Sequence, residues 1–248
     1  MQDKYVTVNF ERIGMGNVMF KLASAIGISK KRNAICCLNE DSEHLSGFCG
    51  PFPPLMKNII FDRYIHEKNE GIFTPNMNND FINENIRVGR YLQSYKYFSH
   101  CQEEIKNIFQ PKNIYKEEAS NWLTNNGISH DDIKVCIHFR RGDMIYEALH
   151  FPSNEWFSMI IKDYIPDNAK IIVFSDDIEW AKKQDYLSKS VCFFSENNSK
   201  MLDFTLMTLC DYFILSRGTF AWWAAYLSKT KKKVFYSNEF SDTVYNDN

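Results

Sequence analysis

From about residue 133 onward, short apolar runs and amphipathic stretches alternate with little slack between them. That alternation constrains the fold more than any other feature of the chain. Ile133 to Phe139, Lys170 to Phe174, Val191 to Phe194, Tyr212 to Leu215 and Val234 to Tyr236 each read as a strand. Asn154 to Tyr164, Ile178 to Lys183, Met201 to Cys210 and Phe220 to Leu227 read as the helices between them. Strands that are apolar along most of their length must be covered on both faces, which requires an α/β unit with a parallel, doubly wound sheet. Such sheets bind ligands beyond the carboxyl ends of their strands, so the residues just after each strand are where chemistry is expected.

The first half is less regular. Tyr5 to Phe10 reads as a strand, and Gly14-Met15-Gly16-Asn17 follows as a loop opening a helix with Val18, Leu22, Ala25 and Ile26 at helical spacing. Residues 39–90 contain Pro51, Pro53, Pro54, Pro75 and the run Asn76-Met77-Asn78-Asn79, and read as loops and short elements. Tyr97 to Phe109 predicts a helix stopped by Pro111, and Glu117 to Leu123 predicts another.

Composition excludes several function classes. With 44% hydrophobic and 24% charged residues the chain is globular, and its 248 residues suit one large domain or two small ones. A net charge of -2 provides no overall positive field for nucleic acid or an anionic membrane. The seven cysteines are scattered, with no Cys-x-x-Cys pair, which argues against a zinc site or a disulfide framework. There is no secretory h-region at the N-terminus and no run of about 20 apolar residues, so the expectation is a soluble, cytoplasmic chain without an integral membrane segment.

Four strand ends carry candidate ligand groups. After the strand ending at Phe139 come Arg140-Arg141-Gly142-Asp143, preceded by His138. Two guanidinium forks at a strand end suit a diphosphate, and the competing readings are a solvated ion-pair cluster or an Arg-Gly-Asp adhesion triplet. Ser175-Asp176-Asp177 follows the next strand. A carboxylate there can accept from the guanine edge, hold a ribose hydroxyl, or cap the helix starting at Ile178. Ser216-Arg217-Gly218-Thr219 opens the helix of Trp222 and Trp223, where hydroxyls and N–H groups make an anion site or Ser216 or Thr219 is an N-cap. Gly14, Gly16 and Asn17 repeat the strand–glycine–helix context, with a tight turn as the default reading. Together these features point to a nucleotide carrying a diphosphate. No Asp-x-Asp spacing occurs, which favours metal independence.

These residues resemble a known family, the inverting α-1,2-fucosyltransferases of glycosyltransferase family 11. The matching segments are Gly14-Met15-Gly16-Asn17-Val18-Met19-Phe20 with Ala23, Tyr91-Leu92-Gln93-Ser94-Tyr95-Lys96-Tyr97-Phe98, and His138-Phe139-Arg140-Arg141-Gly142-Asp143. Phe174-Ser175-Asp176-Asp177 with Trp180, and Ser216 with Thr219-Phe220-Ala221-Trp222-Trp223, complete the set in family order. The resemblance implies a GT-B fold of two Rossmann-like domains with a cleft between them. Residues 1–130 would form the acceptor side and 131–248 the GDP-fucose side. It implies transfer of L-fucose from GDP-β-L-fucose to the 2-hydroxyl of a terminal β-galactoside, without a divalent metal or other cofactor. The acceptor would be a galactose-terminated oligosaccharide or glycolipid, and a lipid-linked one would bring the enzyme to a membrane surface.

Carried over by position, Arg140 and Arg141 would neutralise the diphosphate leaving group. His138 and one of Asp176 and Asp177 would contact guanosine, Ser216 and Thr219 the phosphates, and Gly14, Gly16 and Asn17 would complete the donor site. Asp143, Glu11 and His138 are the candidates for taking the acceptor proton, with Asp143 first. The chain departs from the family pattern at Val18, Lys21 and Arg217-Gly218. Gly218 and the positions of Val18 and Lys21 motivate one alternative, a non-catalytic protein of the same fold binding a GDP-sugar or glycan; a further alternative is a transferase using another GDP-sugar such as GDP-mannose.

Overall fold

The computed structural model describes residues 3–11, 13–67, 73–78, 83–142, 151–188 and 190–236. The chain divides into two compact units, residues 1–110 and 111–240, each built on its own parallel sheet.

In the first unit β1 (Tyr5–Val8), β2 (Ile35–Cys36), β3 (Arg63–His66) and β4 (Ile86–Gly89) form a sheet in the order β2-β1-β4-β3, every pair parallel. Val6, Val8, Ile86 and Val88 are fully buried. Helix α1 (Met15–Lys31) lies against β1 and β2, with Val18, Met19, Leu22 and Ala25 in the core. Its close approach to the turn at Tyr95–Tyr97 requires Gly27, because a Cβ there would lie 2.1 Å from the Tyr97 carbonyl oxygen.

The predicted helix from Tyr97 to Phe109 is broken in the structure. Single 3-10 turns occupy Tyr95–Tyr97 and Ser99–Cys101, and only Gln102–Ile108 is α-helix, here α2. The cause is local: Ser94 caps the first turn by accepting from the Lys96 N–H at 3.4 Å, and Tyr97 and Phe98 are both drawn fully into the core. Two adjacent side chains both buried is not a period that one amphipathic helix face supplies.

Helix α3 (Asn113–Asn125) opens the second unit, whose strands are β5 (Lys134–Phe139), β6 (Lys170–Ser175), β7 (Cys192–Phe194), β8 (Tyr212–Leu215) and β9 (Lys233–Tyr236). Between them run α4 (Asn154–Tyr164), α5 (Ile178–Ala181), α6 (Lys200–Thr208) and α7 (Thr219–Leu227). Each expected strand and helix after residue 133 is present. The division between the units falls after Gln110, earlier than the boundary expected after residue 130, because α3 packs against α6.

The sheet order is β7-β6-β5-β8-β9, all parallel. The chain therefore winds outward from β5 in one direction through β6 and β7, then returns to β8 on the other side. The turnover lies between β5 and β8, which is where an open α/β sheet leaves a crevice beyond its strand ends. Alternate residues of β5 face opposite layers. Val135, Ile137 and Phe139 join Phe157, Ile160, Ile171 and Val173 in one core. On the other side the ring of His138 lies 6.1 Å from that of Phe220, which packs edge-on against Phe204.

Candidate functional site

The loop leaving β5 is held by the main chain and side chains of its neighbours. Arg140 donates its backbone N–H to the Ser216 hydroxyl at 2.9 Å, and the Ser216 N–H returns to the His138 carbonyl at 3.0 Å. These bonds tie β5 to β8 across the turnover point, and Ser216 is 2% exposed. On the other flank Asp176 accepts two backbone N–H groups, from Arg141 at 2.7 Å and Gly142 at 3.0 Å. A carboxylate receiving consecutive amides fixes a turn strongly, since both bonds are charge-assisted.

The two arginines are treated differently. Arg141 sends Nε to the Asp177 carboxylate at 3.3 Å, and its guanidinium lies 3.8 Å from the centre of the Trp180 ring. Asp177 is also the N-cap of α5, accepting the Trp180 N–H at 3.2 Å. Arg141 is thus part of a ring-stacked, ion-paired cluster, and the capping alternative for one aspartate is realised by Asp177.

Arg140 runs the other way, toward α7. The N-cap of that helix is Gly218, with φ 111°, so neither Ser216 nor Thr219 caps it. A Cβ at Gly218 would lie 3.0 Å from Nη1 and 3.1 Å from Cδ of Arg140. A guanidinium is therefore laid against the start of a helix, whose N-terminal end also carries positive potential. Both features favour an anion at this point.

His138 is neutral. Its Nδ1 is sealed from solvent without a hydrogen-bond partner, and burial, together with the Arg140 charge, lowers its pKa to about 4 against the partial opposition of Asp176. A buried polar nitrogen left unpaired is unfavourable, and a ligand group that pairs with it would remove that cost. Thr219, in the first turn of α7, is 9% exposed. Asp143 lies outside the described residues.

In the first unit, Gly14 is the N-cap of α1 with an extended backbone and no side-chain cap, and nothing stands within 4 Å of a Cβ placed there. Gly16 is buried in the first turn, and Asn17 accepts from the Gln93 side chain at 2.8 Å. Lys21 is almost completely buried. Its ammonium donates to the Asn9 carbonyl at 3.0 Å and lies 3.8 Å from Glu11, and desolvation lowers its pKa despite Glu11 and Glu40 nearby. The structure thus assembles His138, Arg140, Arg141, Asp176, Asp177, Ser216 and Thr219 at one sheet edge. Gly14, Gly16 and Asn17 belong to the other unit.

Sequence reasoning missed one buried group, Glu67. It follows β3 directly, at a carboxyl strand end, but β3 lies in the irregular stretch of residues 39–90, where no strand pattern marks the position. Among the described residues no helix is long and apolar enough to cross a membrane, and no group of three His, Cys, Asp or Glu side chains is arranged to hold a metal ion.

Comparison with known proteins adds independent findings. Residues 73–246 match the model of glycosyl transferase family 11. A galactoside 2-alpha-L-fucosyltransferase of Caenorhabditis elegans is 26% identical, with 91% of this chain and 70% of the relative covered. An alpha-1,2-colitosyltransferase of Escherichia coli is 28% identical, covering 86% of this chain and 84% of the relative. Among solved structures, an Arabidopsis thaliana FUT1 variant in complex with GDP superposes with a TM-score of 0.63 at 14% identity, over 96% of this chain and 72% of that one. That likeness bears out the GT-B fold class: two parallel α/β sheets of the kind found in fucosyltransferases.

Proposed function

Since the chain belongs to glycosyl transferase family 11, we propose that it moves L-fucose from GDP-β-L-fucose to the 2-hydroxyl of a terminal β-galactoside. The reaction inverts the anomeric carbon and needs no divalent cation. The observation that carries this reading is Arg140 lying against Gly218 at the head of α7. There the β-phosphate of GDP would sit between a guanidinium and the helix N-terminus. In the displacement the bond between the fucosyl anomeric carbon and the phosphate oxygen breaks as the acceptor oxygen bonds to that carbon, and the electron pair leaves with GDP. Charge grows on the diphosphate as the bond lengthens, so a fixed cation at that oxygen stabilises the transition state more than the ground state.

The remaining roles follow from the same edge. The neutral His138 and one of the carboxylates of Asp176 and Asp177 would contact the guanosine, while Ser216 and Thr219 would support the phosphates. Arg141, already paired with Asp177 and stacked on Trp180, acts by holding the loop. A histidine with a pKa of about 4 is a weak proton acceptor at neutral pH. We therefore assign the acceptor proton to Asp143, ahead of Glu11 and His138.

The test is a transfer assay with GDP-fucose and a panel of terminal β-galactosides, with and without EDTA. Linkage is determined on the product. An α-1,2-fucosylated product formed equally in EDTA supports the whole reading, and GDP binding without transfer to any galactoside overturns the acceptor assignment. The relative named for colitose transfer favours one second reading, in which the donor sugar is not fucose. Donors competed at equal concentration separate the two, because a pocket shaped for one deoxy pattern discriminates by hydrogen bonds left unmade.

A further inference from the structure

The segment after β4 is built in a way that the donor site does not use. Arg90 and Leu92 have φ of 62° and 53°, a left-handed backbone that non-glycine residues rarely adopt. Two such residues within three positions persist only where surrounding contacts enforce them. For Leu92 those contacts are visible. Its N–H donates to the carboxylate of Glu67 at 3.0 Å, and its carbonyl accepts from the Ser24 hydroxyl at 3.1 Å.

Glu67 is fully buried, and its other oxygen accepts from the Tyr97 hydroxyl at 3.3 Å. Tyr97 in turn accepts the Thr74 N–H at 2.9 Å. Next along the loop, Gln93 donates to Asn17 at 2.8 Å, which joins the strand end of β4 to the glycine loop after β1. Between the two enforced residues stands Tyr91, 39% exposed although it is a large aromatic side chain. β1 and β4 are neighbours in the sheet, so this loop pair occupies the carboxyl edge where a parallel sheet binds its ligand.

We propose that Tyr91 and the Gln93–Asn17 amide pair form a binding subsite for a neutral hexopyranoside, held in shape by Glu67 as a positioning residue. An exposed ring presents an apolar surface to the C–H face of a sugar, and adjacent side-chain amides offer both donors and acceptors to its hydroxyls. Strain in the loop serves to fix that ring in place before the ligand arrives, which lowers the ordering cost of binding. The assignment of this sugar as the acceptor rests on the function proposed above; the subsite itself does not.

Saturation-transfer NMR with methyl β-D-galactopyranoside tests the subsite without turnover. Contact signals are expected with the wild-type protein, and both Tyr91→Ala and Glu67→Leu should lose them. Glu67→Gln should retain most of them, because its amide oxygen still accepts the Leu92 N–H. In the transfer assay Tyr91→Ala should raise the acceptor KM about tenfold, with kcat and GDP affinity unchanged, as expected for loss of one aromatic contact. Wild-type protein that gives no galactoside signal overturns the subsite, and so does Tyr91→Ala that keeps the wild-type signal and KM. Galactoside contact at Tyr91 without fucosyl transfer would leave the subsite standing and overturn the proposed reaction instead. Tyr91 is on the surface, so its substitution remains informative if Glu67→Leu fails to fold.

Discussion

The carboxyl edges of the two sheets organise their polar groups in opposite ways. At the edge of the second sheet the groups are charged and held by short-range pairs: Asp176 on two backbone amides, Asp177 on Arg141, and Arg140 against the helix start at Gly218. At the edge of the first sheet a carboxylate, Glu67, is buried completely and spends its oxygens on an amide and a phenol, leaving an exposed ring on a strained loop. The first arrangement presents charge, and the second presents shape. A donor with a diphosphate and an acceptor made of hydroxyls need those two things respectively.

The comparison breaks most readily at the arginines. Arg140→Ala should weaken GDP binding by about 10- to 100-fold, the loss of roughly 1.5–3 kcal/mol from a charge-assisted contact. It should also abolish transfer. Arg141→Ala should instead lower thermal stability, by about 1 kcal/mol for its ring stack and ion pair, with a smaller change in GDP affinity. Calorimetry on both variants decides it, and equal losses of GDP affinity would show that the two arginines share the role.

Gly218→Ala should come next. The residue would carry a side chain at φ 111° with its Cβ 3.0 Å from the Arg140 guanidinium. About a tenfold loss of GDP affinity is expected from displacing that group, together with a strain of about 1 kcal/mol. Unchanged GDP affinity in a folded Gly218→Ala protein would remove Arg140 from the diphosphate.

The buried histidine sharpens the contrast through pH. Its folded pKa of about 4 lies below the usual 6.5. The unfolded chain therefore takes up a proton between those values that the folded chain refuses. Stability is full above pH 6.5, declines as the pH falls, and levels off below about 4, by a few kcal/mol in all. His138→Leu should flatten that slope in thermal melts between pH 7 and 4.5. A wild-type slope retained in the variant would assign the acid sensitivity to another group.

The smallest effect belongs to Ser216→Ala. It removes the acceptor for the Arg140 N–H at 2.9 Å and should lower stability by about 1 kcal/mol. Loss of a hydroxyl beside the phosphates should also lower GDP affinity, by about threefold, as measured by calorimetry.

Much of the second unit was readable because each of its strands is an apolar run flanked by helices of matching period. The apolar runs of β5, β6 and β8 coincide with their strands to within a residue, and the donor candidates stand just past them. The first unit resisted because its strands are two to four residues long. β3 is mostly exposed, with only Ile65 half-buried, so hydrophobic periodicity does not mark it. Glu67 was lost with the strand that precedes it. The helix expected from Tyr97 is broken by the Ser94 cap and by burial of both Tyr97 and Phe98, and the partner that Tyr97 meets in the core, Glu67, is one that no local pattern announces.

The sequence by itself determined the parallel sheet after residue 133, the strand ends where chemistry is placed, and membership in a glycosyl transferase family. Those are properties of local period and of short motifs, and both are written within a few dozen residues. Only the tertiary structure decided that Arg140 faces a helix start while Arg141 is consumed by Asp177 and Trp180, and that Glu67 holds Leu92. Adjacent arginines have the same sequence context, so their difference comes from β6 and β8, strands brought beside β5 from far along the chain. Hydrogen bonds and charges act over a few ångströms, and only folding brings those partners within that range.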